Sequence, residues 1–203
     1  MNQRITLLRR REGLPAAAFR QHWAGPHAQI ARHLPGLVRY DQNHVLGASV
    51  SQRDAEWPIH GFVELWFRDA AAIAEAAWSE TTRRLIDDEP AFLSALTGLI
   101  MAEAPPYDAP MHRIFAVDRT GAPAGPRAEQ WPHLFAGKSF AALLQVAEVM
   151  RRQELASEQR PPAFVAIAGF ADLAQASAAF AQATAAAKAA GLELYLTEQV
   201  RIV

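Results

Sequence analysis

The sequence predicts an α+β fold in which tandem βαββαβ units pair their sheets face to face as an α/β barrel. Three observations carry that expectation. Segments of period-two alternation and of helical periodicity follow one another as β-α-β-β-α-β over the first hundred residues. The second half repeats landmarks of the first. A single four-stranded sheet with both helices on one face would leave its other face apolar and bare, so it needs a partner sheet.

The elements follow in order. Residues 4–10 form a strand, and Gly13-Leu14-Pro15 is a turn whose proline opens a helix running to about Leu34. Pro35-Gly36 stops it, and 37–46 alternates as a half-buried strand. A polar loop, 47–57, leads to a strand over 59–67 rich in β-branched and aromatic residues, after which Asp69 caps an Ala-rich helix to about Ser79. Asp87-Asp88-Glu89-Pro90 reads as the start of another short helix, and 97–103 as a fourth strand. Beyond Ala104-Pro105-Pro106 the expectation is a strand over 112–118, a Pro/Gly-rich loop over 120–133 and a helix over 139–155. A strand over 163–169, a helix over 171–190 and a strand over 192–202 complete it.

The halves rhyme at specific places. Ile5 to Arg10 leads to Gly13-Leu14-Pro15, and Ile114 to Arg119 leads to Gly121-Ala122-Pro123. Phe67-Arg68-Asp69 and Phe170-Ala171-Asp172 each close a strand and cap a helix. The repeat, about 105 residues long, is degenerate, because too few residues separate 139–155 from 163–169 to hold an equivalent of strand 37–46.

Composition narrows the chemistry. With 203 residues, 51% hydrophobic and 20% charged, the chain falls in the globular class. Basic and acidic residues number 11 and 12 up to Ala104 and nine each beyond it, so neither half is a polyanion-binding arm and no nucleic-acid partner is expected. Zero cysteines exclude a disulfide framework, a thiolate nucleophile and an Fe–S cluster. The N-terminal apolar run is shorter than a signal peptide needs, and the Ala-rich stretch 171–190 carries Asp172, Gln175 and Lys188; a cytoplasmic protein without a membrane partner is the expectation.

Chemistry concentrates on the first helix. Phe19, Trp23, His27, Ile30 and Leu34 recur every three or four residues and share one face, so the apolar stripe contains a histidine. Pro26 frees the carbonyl of His22 and should kink the helix beside it. An inward histidine reads either as a core residue bonded to a carbonyl or as a proton-transfer group. His22 and His33 point away from that stripe. On an ideal helix His22 and His27 diverge by about 140°, and His22 and His33 lie about 16 Å apart, so neither pair chelates an ion and no metal is expected.

On strand 59–67, Phe62, Glu64 and Trp66 share the face that should look into the barrel, where a carboxylate between aromatic rings needs a partner. An arginine such as Arg9 or Arg39 would make Glu64 a structural ion pair; otherwise it joins the site, together with Tyr40 and His44 if strand 37–46 shows the matching face. Asp87, Asp88 and Glu89 are explained by capping. No Walker, dinucleotide-binding or Gly-x-Ser-x-Gly pattern occurs, so no nucleotide cofactor or serine hydrolase is expected.

Several motifs together resemble one family: Arg9-Arg10-x-x-Gly13-Leu14-Pro15, then Phe19-x-x-x-Trp23-x-x-x-His27-Ala28, then Leu34-Pro35-Gly36-Leu37-x-x-Tyr40-x-x-Asn43, then Gly61-Phe62-Val63-Glu64-Leu65-Trp66-Phe67, and Asp88-Glu89-x-x-Phe92. Over residues 4–103 the chain resembles the EthD family, with the second half a worn repeat lacking counterparts of Trp23 and His27. The resemblance implies ferredoxin-like units in a dimeric-type α/β barrel, an EthD-like unit over 1–104 and a degenerate second one over 110–203; pairing between chains would add a homodimer. It also implies, for His27, the proton-transfer role of the helix histidine in the catalytic members.

The preferred expectation is a cofactor-independent lyase or isomerase, a decarboxylase, dehydratase or isomerase in type. It would act on a small aromatic, enol or lactone-like compound in an apolar barrel cavity. His27 would move the proton, Glu64, Tyr40 or His44 would orient it or hold an enolate, and Trp23, Phe62 and Trp66 would line the pocket. The alternatives are a non-catalytic binder of a hydrophobic metabolite, or an accessory to an oxygenase, and haem binding through the helix histidine. A second polar group within reach of His27 separates catalysis from passive binding.

Overall fold

The computed structural model describes residues 1–49, 57–102, 106–118 and 131–203. The first half runs β1 (Asn2–Arg10), α1 (Ala16–His22), a π turn (Trp23–His27), α2 (Ala28–Ala31), β2 (Leu37–Ser49), β3 (Gly61–Phe67), α3 (Ala70–Trp78), α4 (Glu80–Asp88) and β4 (Leu93–Met101). The second half supplies β5 (His112–Asp118), β6 (Phe140–Arg151), β7 (Phe164–Phe170), α5 (Leu173–Ala189) and β8 (Leu192–Arg201).

The strands close into one antiparallel barrel in the order β1-β3-β2-β8-β5-β7-β6-β4. The first half contributes the neighbours β4-β1-β3-β2, and the second contributes β8-β5-β7-β6 in the same relative order. The halves meet along β2–β8 and β4–β6. Eight strands enclose a space that side chains can just fill, and here they do. Ile5, Phe62, Leu99, Phe115, Ile167 and Tyr195 are all fully buried in one interior cluster. The Phe62 and Phe115 rings stack with centroids 4.3 Å apart.

Local chemistry explains most element ends. The Asp69 side chain accepts from the Ala72 N–H and the Asp172 side chain from the Gln175 N–H, which makes both expected caps real. Gly36 ends the first helical run at φ +65°, and a Cβ there would lie 2.4 Å from Ala72 Cβ, so both backbone sign and close packing demand glycine. Ser79 caps α4 through the Thr82 N–H.

Three expectations change. Residues 139–155 are mostly β6, not a helix: the open edges of β4 and β7 take them up as the strand that closes the barrel, and pairing overrides an Ala/Leu-rich helical propensity. The equivalent of β2 is therefore present in the second half. Asp87 and Asp88 end α4 rather than opening a helix, and a single 3-10 turn, Glu89–Ala91, follows with Pro90 near its start. The hollow expected inside the barrel is a packed core among the described residues. Parts of the expected loops, 50–56 and 120–130, and the boundary residues 103–105 lie outside the described residues. No helix among the described residues is long and apolar enough to cross a membrane.

Candidate functional site

Pro26 sets the site's geometry. Lacking an N–H, it cannot close an α turn onto the His22 carbonyl, and the chain widens into the π turn Trp23–His27 instead of only kinking. A five-residue turn brings His22 and His27, divergent on an α-helix, to the same carboxylate. His22 Nε2 and His27 Nδ1 each lie 2.9 Å from an oxygen of Asp88 at the end of α4. Phe92 packs against both rings, at 4.8 Å and 4.9 Å between centroids.

Burial pushes the Asp88 carboxyl up, but the hydrogen bonds from His27 and His22 outweigh it and its pKa is lowered. Asp88 is thus ionised near neutrality and can only accept, so His27 Nδ1 and His22 Nε2 carry protons. In the neutral ring the lone pair of His27 then sits on Nε2, which has no hydrogen-bond partner among the described residues. His27 is 8% exposed.

The His27 ring lines a slot between the helices and the outer face of the barrel. Its floor is Arg4, Thr6 and Leu8 of β1, Tyr40 of β2, and Val63 and Leu65 of β3. Ala31 and Leu34 roof it, Leu85 and Glu89 close one side, and Met150 and Arg152 reach in from the second half. The slot spans about 400 Å³ with its mouth included, but only about 30 Å³ is wide enough for water. That admits one or two waters, not an aromatic ring, unless the walls part.

The polar groups of the slot are well defined. Tyr40 is 1% exposed and its hydroxyl accepts from Gln42 Nε2 at 2.7 Å. Burial raises its pKa far above 10, so it stays a phenol, and its own proton meets no acceptor among the described residues. Arg4 and Thr6 are buried, and Arg4 Nε and Thr6 Oγ1 have no hydrogen-bond partner among the described residues. Burial, then the neighbouring Arg152 charge, lowers the Arg4 pKa to about 10, so the guanidinium remains charged. Burial raises the Glu89 pKa, and Arg152 holds its carboxylate at 3.3 Å.

The expected site residues do not all meet. His27 and Tyr40 share the slot, as the inward helix face and strand β2 allow. Glu64 lies on the other side of the sheet, inside the barrel, where Arg113, Tyr107, Gln3 and Asn43 surround it. Its partner arginine is Arg113, not Arg9 or Arg39. His44 stands on the helix side with Tyr40, but packs on the Trp23 ring at 4.4 Å, away from the slot. Its Nε2 donates to Gln42 Oε1 at 3.1 Å. Burial and the Arg20 charge lower its pKa to about 4, which keeps it neutral.

The expected pocket walls are also dispersed. Trp23 fills the helix–sheet core beside Phe19 and Gly61, Phe62 is in the barrel core, and Trp66 closes the barrel end against Tyr107 and Arg39. The sequence did not bring forward the contact of Asp88 with His22 and His27, nor Arg4 and Thr6 in the slot. The Asp88-Glu89-x-x-Phe92 motif was the available signal for Asp88; Arg4 and Thr6 share the alternate face of β1 with Leu8.

Barrel and slot define a closed antiparallel α/β barrel with a histidine-lined slot built mostly by the first half. Residues 11–95 match the family model described as EthD domain, so the first half of the chain is similar to that family. No curated protein matches the chain. It is similar in structure to an anthrone oxidase-like protein (9% identity, TM-score 0.58, covering 99% of this chain and 93% of that one). It is also similar to a putative monooxygenase from Fusobacterium nucleatum (7% identity, TM-score 0.53, 98% and 91%). An EthD family protein from Bacillus halodurans aligns with 51% of this chain and 100% of its own, at 22% identity and TM-score 0.42. At these identities the first two likenesses show a shared fold alone.

Proposed function

We propose that the slot is the active site of a proton-transfer enzyme, a lyase or isomerase acting on an enol-forming small molecule. The observation that carries this reading is the Asp88 contact at 2.9 Å, which holds the Nδ1 proton of His27 and leaves Nε2 free in a slot that Tyr40 also lines. An isolated imidazole would suit passive binding; an oriented one suits general base and acid work.

The chemistry follows from the groups present. His27 Nε2 takes a proton from carbon next to a carbonyl, and Asp88 stabilises the imidazolium that forms. Tyr40, a neutral donor, holds the enolate oxygen. Return of the proton to a different carbon completes an isomerisation; departure of a group from the neighbouring carbon completes an elimination. Glu64 and His44 take no part.

The slot is narrow at rest, so entry requires movement of its walls, among which Met150 and Arg152 are long, half-buried side chains from the second half. A resident carrier would need standing volume, which disfavours the metabolite-binding alternative. A haem does not fit a slot of this width. We read the two halves, 1–104 and 110–203, as tandem ferredoxin-like units.

The test is solvent-deuterium exchange, followed by NMR, over a panel of keto acids, phenolic acids and unsaturated lactones. Wild-type protein should accelerate exchange in at least one class, and His27→Gln should lose roughly 10²- to 10⁴-fold of that rate. Equal rates for wild type and His27→Gln, or no acceleration across the panel, overturn the reading.

A further inference from the structure

The slot contains a buried guanidinium that no carboxylate among the described residues hydrogen-bonds. Arg4 is 8% exposed; among the described residues its guanidinium meets Met150 Sδ at 3.8 Å, a weak acceptor, and the Phe67 ring with its centroid at 5.7 Å. Among the described residues Arg4 Nε has no hydrogen-bond partner, nor has Oγ1 of Thr6, which lines the same slot. Glu89, which faces Arg4 electrostatically, is committed to Arg152. A guanidinium removed from water without a carboxylate costs stability, and an apolar side chain would fill the same volume without that cost. The arrangement makes sense when an anion completes it.

We propose that Arg4 and Thr6 dock the carboxylate of the substrate, so that the slot takes a small organic acid. This rests on the reading of the slot as the active site, and names its substrate class. The guanidinium fork matches a planar carboxylate in two parallel hydrogen bonds, and the Thr6 hydroxyl adds a third donor. A flat three-atom head group suits a narrow slot, whereas a tetrahedral oxyanion does not. The apolar floor, Leu8, Val63 and Leu65, accepts the hydrocarbon part, and the head group on β1 leaves the adjoining carbon beside His27.

Titration calorimetry with propionate, propionamide and phosphate tests this on wild type, Arg4→Met, Thr6→Val and His27→Gln, with melting temperatures taken in parallel. Propionate should bind wild type and His27→Gln alike, and raise their melting temperatures, while propionamide and phosphate should not. Arg4→Met should weaken propionate roughly ten- to hundredfold and Thr6→Val several-fold. Free Arg4→Met should melt no lower than wild type, because an uncompensated charge has gone. Failure of wild type to bind propionate, equal binding by Arg4→Met, equal binding of phosphate or propionamide, or an unfolded Arg4→Met each overturns the assignment. Carboxylate binding that persists while His27→Gln retains full deuterium exchange would leave the docking site standing and remove the proton-transfer reading instead.

Discussion

Replacing Glu64 by Gln tests whether that residue is structural. Glu64 and Arg113 are both 0% exposed and form a direct ion pair inside the barrel. In Glu64→Gln, Arg113 keeps Gln199 Oε1 and the carbonyls of Pro110 and Ala109, but its charge loses its counter-ion. Breaking a buried pair from one side costs about 3–5 kcal/mol. For a chain of this length each kcal/mol moves the melting temperature by about 2–4 °C, so a drop of about 6–20 °C is expected. The double substitution Glu64→Leu with Arg113→Met removes both charges and should recover most of that loss. Urea unfolding of the wild type, Glu64→Leu, Arg113→Met and the double variant gives the coupling directly. A Glu64→Gln variant within about 1 kcal/mol of wild type would refute the structural assignment, as would one that keeps its stability and loses proton exchange.

Other consequences can be checked separately. Burial and arginine neighbours hold His44 and His60 neutral with pKa values of about 4 against 6.5, so the unfolded chain binds more protons between those values and stability falls as pH falls from 6.5 to 4. His44→Gln and His60→Gln should flatten that slope in urea midpoints taken from pH 7.5 to 4; parallel curves would contradict it. A Cβ at Gly61 would lie 2.4 and 2.6 Å from Trp23 ring atoms, so Gly61→Ala should cost about 1–3 kcal/mol by urea unfolding, and an unchanged midpoint would deny that close packing. Asp88→Asn keeps the shape but loses the charge facing His27, and should slow deuterium exchange roughly ten- to hundredfold with the fold intact; an unchanged rate would make Asp88 a bystander.

The first-half elements were legible because each is short-range: periodicity names the strand or helix, and Asp69, Gly36 and Pro15 punctuate it. The inward face of β3 was legible for the same reason, since alternate side chains must point opposite ways. What stayed hidden depends on distant partners. Residues 140–151 carry a helical composition, and only the unpaired edges of β4 and β7 turn them into β6. Arg113, the partner of Glu64, lies 49 residues away in the other half. The faces of β2 were readable, but which face met β3's interior side was set by register: Asp41 and Asn43 pair beside Glu64 and Phe62, which sends Tyr40 to the helices. His27 could be read as inward, yet its convergence with His22 needed a π turn that an ideal 3.6-residue helix does not contain.

The state of one ring carries the functional account. A long-range ¹H–¹⁵N spectrum of the His27 imidazole, recorded where the ring is neutral, should show a single tautomer with hydrogen on Nδ1 and a bare Nε2. A proton on Nε2, or an even mixture of tautomers, would mean that Asp88 does not hold the ring and that no base faces the slot.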